Sequence, residues 1–479
     1  MTKRKMMIAL AAGLTLAGCN LAPHYVRPGL PVPPMSPVGP AYATADAAAA
    51  IVPADTAWRD FFTDDRLRSV IHTALENNRD LRIAVSNVEQ ARAQYRVTRA
   101  DLFPTIGATG SATYAKSPFS TTAGTGTGAG TTAAGSGRTD IYSANVGISA
   151  WEIDLFGRLR NLTKAQQEAY FASEENRNAA QTALIAEVAT AWLTMAADQD
   201  RLKIAQDTAK AFGETVKLTQ ARFRGGIASE LEVRQAGTTY DQARSDIADA
   251  TTAIAQDQNA LNLLAGTTLS AEMLPAQLPE TSPTLANLPA NLSSQVLLRR
   301  PDIAASEHQL IAANANIGAA RAAFFPNISL TAAFGTLSLG LGNLFGSGSQ
   351  SWSVAPSVTQ PIFDFGRNAG NLQYAKASRD VMVSTYEKTI QSAFREVADA
   401  LARRGTITAQ IAAQTSLRDN AAGAFKLSEA RFRAGIDPFL TTLDSQRSLY
   451  TAQQSLLATR LTRDTNAVEL YRSLGGGLR

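Results

Sequence analysis

The chain has 479 residues, with 45 Lys and Arg against 41 Asp and Glu, three His and one Cys. Its formal charge of +4 falls to +1 once Lys3, Arg4 and Lys5 are set aside with a leader, so no basic footprint for nucleic acid remains. One cysteine excludes disulfides within the chain. The scattered His24, His72 and His308 offer no metal spacing, and no nucleophile elbow or phosphate loop argues for an enzyme.

At the N-terminus Lys3–Lys5 precede an apolar run from Met6 to Ala17, then Leu16-Ala-Gly-Cys19. A basic start, a short apolar core and small residues before a cut predict an export signal over 1–18, too short to span a bilayer. Leu-Ala-Gly-Cys resembles a bacterial lipobox, which implies cleavage before Cys19 and a covalent lipid on its sulfur. No other cofactor and no metal is expected. Residues 19–57 form a Pro/Ala-rich leader, including Pro31-Val-Pro-Pro34. No later stretch is apolar for the ~20 residues a transmembrane helix needs.

Folded structure is expected from Trp58-Arg-Asp-Phe-Phe62, with Asp64 or Asp65 capping a helix that runs toward Arg99. At Phe103-Pro104 the period shortens to two: Ile106, Ala108, Ala112 and Tyr114 alternate with Thr and Ser. Tyr142, Ala144, Val146, Ile148 and Ala150 do the same on the far side of a Gly/Thr/Ser loop at 115–140. After Phe325-Pro326 the theme returns, with Ile328, Leu330, Ala332 and Phe334, then Trp352, Val354 and Val358. Four strands, apolar on one face and small-polar on the other, fit a lipid-facing barrel with a wet lumen. On pattern alone they also fit two soluble hairpins packed on a core. Four strands cannot close a barrel, so the membrane reading excludes a monomer.

Between the strand pairs lie long helical stretches with a duplicated turn. Arg222-Phe-Arg-Gly-Gly-Ile-Ala-Ser-Glu-Leu-Glu232 reads as a helix stop at Gly225 and Gly226, then a restart with Ser229 and Glu232 as a capping box. Arg431-Phe-Arg-Ala-Gly-Ile-Asp-Pro-Phe-Leu440 repeats it, with Gly435 as the stop and Asp437 as the cap. Arg222 and Arg431 stand 209 residues apart, as do the Phe-Gly-Arg sites at Arg158 and Arg367. A heptad stripe runs from Leu184 to Phe223, interrupted by Asp198, and another from Val233 to Leu264, interrupted by Asp257. The boundaries expected are repeat 1 over 58–265, with a β-hairpin at 104–152 and a helical hairpin at 158–264. A Pro-rich connector follows at 266–297. Repeat 2 over 298–479 has its β-hairpin at 326–363 and helical hairpin at 367–474.

The lipobox, Trp58–Phe62, Leu297–Ile303, the paired Phe-Gly-Arg sites and the paired Arg-Phe-Arg hairpins together resemble the outer-membrane factors. These are TolC-like efflux channels, and the OprM-like, NodT-type lipoprotein branch is the most similar. The resemblance implies a mainly α fold with a transmembrane β-barrel portion. In it a homotrimer pools four strands per chain into a 12-stranded barrel, continuous with an α-barrel of coiled-coil helices. It implies an outer-membrane location and, as partners, a periplasmic adaptor, an inner-membrane pump of RND type and outer-membrane lipid. By the same resemblance Leu440 and Asp444 close the periplasmic aperture. The hairpin tips at Gly225, Gly226, Ile227, Gly435 and Ile436 receive the adaptor. The first repeat has Leu231 and Gln235 where the second has Leu440 and Asp444, so a gating acid belongs to the second hairpin alone. The rival reading is a lipid-anchored periplasmic coiled coil without channel activity, for which the four strands would have no use.

Overall fold

The computed structural model describes residues 20–42, 56–116, 138–284 and 293–476. Cys19 and most of the Gly/Thr/Ser loop lie outside the described residues. In chain order come α1 (Trp58–Phe61), α2 (Asp65–Asn77), α3 (Arg79–Ala100), β1 (Ile106–Lys116) and β2 (Arg138–Glu152). Then follow α4 (Arg158–Arg224), α5 (Glu230–Ala265), α6 (Pro301–Ala322), β3 (Asn327–Ser338), β4 (Gln350–Thr359), α7 (Arg367–Arg433) and α8 (Phe439–Ser473). The chain forms two compact units.

The first unit comprises the described parts of Met1–Arg27, Gln90–Tyr170 and His308–Val383. Its centre is an antiparallel sheet in the order β1-β2-β3-β4. The alternation read from the sequence acquires its meaning from the register. Ala108 faces Val146, Val146 faces Phe334, and Phe334 faces Trp352, so one apolar row crosses all four strands. That row is open: Val146 is 53%, Phe334 64% and Trp352 76% exposed. Soluble hairpins would cover such a face with a core, and no core covers it among the described residues. The opposite face carries small polar pairs such as Ser111 and Ser143, whose hydroxyls lie 2.8 Å apart.

Two turns carry the strands into the long helices. Gly157 (φ 78°) and Gly366 (φ 83°) both take left-handed angles. Asp154 accepts the N–H of Arg160 at 2.8 Å, and Asp364 accepts those of Gly366 and Asn368, each at 3.0 Å. Arg158 bonds both carboxylate oxygens of Glu152, at 2.8 and 2.5 Å, which ties the first turn of α4 to the end of β2.

The second unit comprises the described parts of Pro28–Glu89, Phe171–Glu307 and Ser384–Arg479. The helix expected from Asp64 to Arg99 is two helices. Asp64 caps α2, and then Asn78 breaks the run: its Oδ1 accepts from Leu81 N and its Nδ2 donates to Leu264 O. A side chain that satisfies both the new helix start and another helix's end makes the break stable. The Trp58–Phe62 motif is core: Phe61 stacks on Tyr471 at 3.9 Å, Phe62 meets Phe61 edge-on, and the Tyr471 hydroxyl donates to Thr56 O. The second motif hides a charge. Arg300 is 5% exposed and is held by Asp302, Glu396 and the Ser473 carbonyl.

Candidate functional site at the helical hairpin tips

Helices α4 and α7 each run for 67 residues, roughly 100 Å at 1.5 Å per residue. They stop in the same way. At the first tip Ile227 N bonds Arg222 O and Gly226 N bonds Phe223 O; at the second Ile436 N bonds Arg431 O and Gly435 N bonds Phe432 O. This is the Schellman arrangement, with Gly226 (φ 77°) and Gly435 (φ 74°) in the left-handed position. Gly225 is not part of that requirement. Its counterpart is Ala434, and both simply continue the helical bonding, to Ala221 O and Ala430 O.

The restarts differ between the copies. Ser229 accepts the N–H of Glu232 at 3.3 Å, as an N-cap should. The reciprocal half of the box is not made: Glu232 Oε1 lies 3.4 Å from the Ser229 hydroxyl instead. In the second copy Asp437 does not cap α8; the cap position is Pro438. Asp437 takes both ends of the Arg431 guanidinium, at 2.6 and 2.8 Å, because the Schellman turn brings that side chain across the loop. The Arg431 hydrogen bond and charge hold the Asp437 carboxyl below the usual carboxylate range. The first copy has Ala228 there, and its Arg222 lies over the Phe432 ring of the other tip, 4.6 Å from the centroid.

Ala236, Phe432, Phe439 and Leu443 form one buried cluster with Val216 against it, so the two tips are packed side by side. Burial then sorts the residues of α8. Phe439, Thr442, Leu443 and Gln446 face inward, while Leu440 and Asp444 lie on the opposite, exposed stripe, one turn apart. Leu440 is 49% exposed and the Asp444 side chain 63%, so neither is a core position within the chain. Ile227 and Ile436, expected from the resemblance to receive an adaptor, stand open at the tips, 70% and 63% exposed. Cys19 lies outside the described residues.

Three residues beyond Asp444, Arg447 approaches its carboxylate only to 4.0 Å and instead donates twice to Thr239 Oγ1 of α5, at 2.9 and 3.1 Å. One turn further the Tyr450 hydroxyl donates to Asp246 of α5 at 2.6 Å. Burial, and then that bond, push the Tyr450 hydroxyl above its ordinary pKa. These three bonds, absent from the sequence reading, join α8 to α5. The available signal was spacing: Asp444, Arg447 and Tyr450 follow one another at three-residue steps along one helix. The two heptad exceptions also meet. Asp198 of α4 acts on Asp257 of α5, whose pKa is pushed up to about 6, first by burial and then by the charge of Asp198.

The model of the outer membrane efflux protein family matches residues 70–267 and 292–476. The chain belongs to that family. A probable efflux pump outer membrane protein of Pseudomonas putida, TtgC, is 46% identical over 477 residues, covering 100% of this chain and 96% of that one. The cation efflux system protein CusC of Escherichia coli O157:H7 is 38% identical over 473 residues, covering 98% of each. Among solved structures, the open state of the Neisseria gonorrhoeae MtrE outer membrane channel superposes with a TM-score of 0.84 at 37% identity, covering 96% of this chain and 99% of that one. A membrane protein from Pseudomonas aeruginosa reaches 0.86 at 38%, covering 96% and 98%. This outer membrane efflux protein thus shares a fold with channels, and among its described residues no helix is long and apolar enough to cross a membrane.

Proposed function

We propose that the chain is the outer-membrane channel of a tripartite efflux system, working as a homotrimer with a periplasmic adaptor and an inner-membrane pump of RND type. The observation that carries this reading is the sheet. It has four strands, an exposed apolar face and an outer edge on each of β1 and β4. Hydrocarbon does not tolerate open edges, and three copies supply the twelve strands that close a barrel. The long helices then continue the duct through the periplasm, and a lipid on Cys19 adds an anchor.

Leu440 and Asp444 form the gate in this reading. Their exposure on one stripe of α8 supports it, since three such stripes facing a common axis make an apolar ring beside a ring of carboxylates. The Arg447–Thr239 and Tyr450–Asp246 bonds hold α8 against α5, so opening the ring means breaking them. The exposed Ile227 and Ile436 give the adaptor an apolar grip at the tips. Relatives are named for toluene, solvent, antibiotic and cation efflux. Cargo this varied among similar channels supports a reading in which the pump makes the substrate choice.

Single-channel conductance in a planar bilayer tests the proposal, wild type beside Asp444→Ala. Small, rare openings that grow larger and more frequent in the variant support pore and gate together. A wild-type pore unaffected by the change keeps the channel and removes Asp444 from the gate. No conductance from either protein, with membrane insertion verified, favours the periplasmic coiled coil.

A further inference from the structure

Helix α6 carries Asn314, Gly318 and Arg321 at spacings of four and three residues, which place them on one stripe. The leader lies along that stripe. Arg321 Nη1 donates to the Leu21 carbonyl at 3.0 Å, and Asn314 Nδ2 donates to the Pro23 carbonyl at 2.7 Å. Between them Ala22 rests on Gly318: a β-carbon there would stand 2.7 Å from Ala22 Cβ and 2.8 Å from Ala22 Cα. Glycine inside a helix is disfavoured, so its presence here is explained by the close approach of a second backbone. Asn161 of α4 closes the other side, with its amide donating to Gly157 O at 2.7 Å. Asn161 and Asn314 are both buried. Asn20 Oδ1 accepts the Ala22 N–H at 3.1 Å and tightens the bend just before the grip.

Both donors on the stripe go to backbone carbonyls. The grip reads the path of the chain and the smallness of residue 22. Its place matters because Leu21 is two residues after Cys19, a tether of about 7 Å at most. Helix α6 ends at Ala322 and β3 begins at Asn327, so the grip sits where helix gives way to strand.

We propose that Asn314, Gly318 and Arg321 form a clamp on α6 that grips the backbone of residues 21–23 and holds the lipid-bearing end of the chain at the base of the sheet. The clamp rests on the reading of Cys19 as the lipidated residue for its partner, the outer-membrane lipid surface, and on contacts within the chain for its geometry. With so short a tether, the acyl chains must enter the bilayer beside the clamp. A leader of this composition would otherwise let the anchor wander.

The test uses full-length protein in isolated outer membranes and a water-soluble maleimide. Cys19 is the only native cysteine, so a chain whose Cys19 carries lipid should show no labelling. A thiol introduced by Ala22→Cys should react at least tenfold more slowly than one introduced by Val26→Cys, where the side chain is 74% exposed. Adding Gly318→Leu should bring position 22 to within about twofold of position 26. If Gly318→Leu does not reach the membrane, Asn314→Ala with Arg321→Ala decides, since that pair removes only the donors. Equal rates at 22 and 26 in the otherwise native chain, or no response to either clamp change, would overturn the proposal. Labelling of the native chain would instead reject the lipid on Cys19, and the comparison of 22 with 26 would still judge the clamp.

Discussion

Replacing Asp257 by Asn should stabilise the chain above pH 6 and leave it nearly unchanged below pH 4. In the folded chain the Asp257 carboxyl is held neutral up to about 6, against 3.8 as its ordinary value, first by burial and then by the charge of Asp198. Between these two values folding takes up a proton, so stability falls as pH rises through that window. Above it the α4–α5 hairpin carries two neighbouring carboxylates. A shift of roughly two units corresponds to about 3 kcal/mol. Asp257 is only half-buried and Asp198 has Arg201 3.9 Å away, so screening leaves about 1–2 kcal/mol. Where the pair is already separated in the unfolding transition state, unfolding slows by about five- to thirtyfold; where the pair persists there, the difference does not appear in the unfolding rate. The equilibrium midpoint is therefore the primary readout: guanidinium unfolding of detergent-solubilised protein followed by circular dichroism, wild type against Asp257→Asn, at pH 4 and pH 7.5. A stability difference that is the same at both pH values, or larger at pH 4, would refute the reasoning. Asp198→Asn should reproduce only part of the effect, because it removes the repulsion and leaves the burial of Asp257, and the double variant should add little to Asp257→Asn, which already removes both.

Arg300→Met should cost about 2–3 kcal/mol in the same unfolding assay, because it removes the partner of Asp302 and the donor to the Ser473 carbonyl, whereas Glu396 keeps Arg472 at 3.2 Å and both carboxylates are partly open to water. At the tips, Gly226→Ala and Gly435→Ala should each cost about 1 kcal/mol for their left-handed angles. Gly225→Ala should be neutral or slightly stabilising, because the same position in the second copy is already Ala434; equal costs at 225 and 226 would contradict the assignment. Tyr450→Phe removes only the hydroxyl that reaches Asp246, and bilayer recordings should show more frequent openings than wild type.

Much of the fold was legible because its signals are local. Alternation along 142–150 and 328–334 marks strands whatever lies beside them, and a glycine followed by an isoleucine marks a helix stop. The capping of α8 was misread for a related reason: Asp437 before Pro438 has the right chemistry for a cap, and only the folded turn brings Arg431 close enough to claim both its oxygens. Asn78 shows the converse. It splits a helix that periodicity runs straight through, because its amide finds Leu264 O nearly two hundred residues away.

The candidate site divides along the same line. That Leu440 and Asp444 share a helix face follows from their spacing, and so could be read in advance. Which face is covered could not, since Phe439 and Leu443 are as apolar a pair as any and need Phe432 and Ala236 to bury them. The sequence by itself determined the periodicities, the duplicated turns and the placing of charge at the two heptad breaks. Tertiary structure alone decided what those features meet: Asp198 against Asp257, Tyr450 against Asp246, Ala22 against Gly318. Local order is written in neighbouring residues, whereas a partner's identity depends on how distant segments come into contact, and no spacing along the chain encodes that distance.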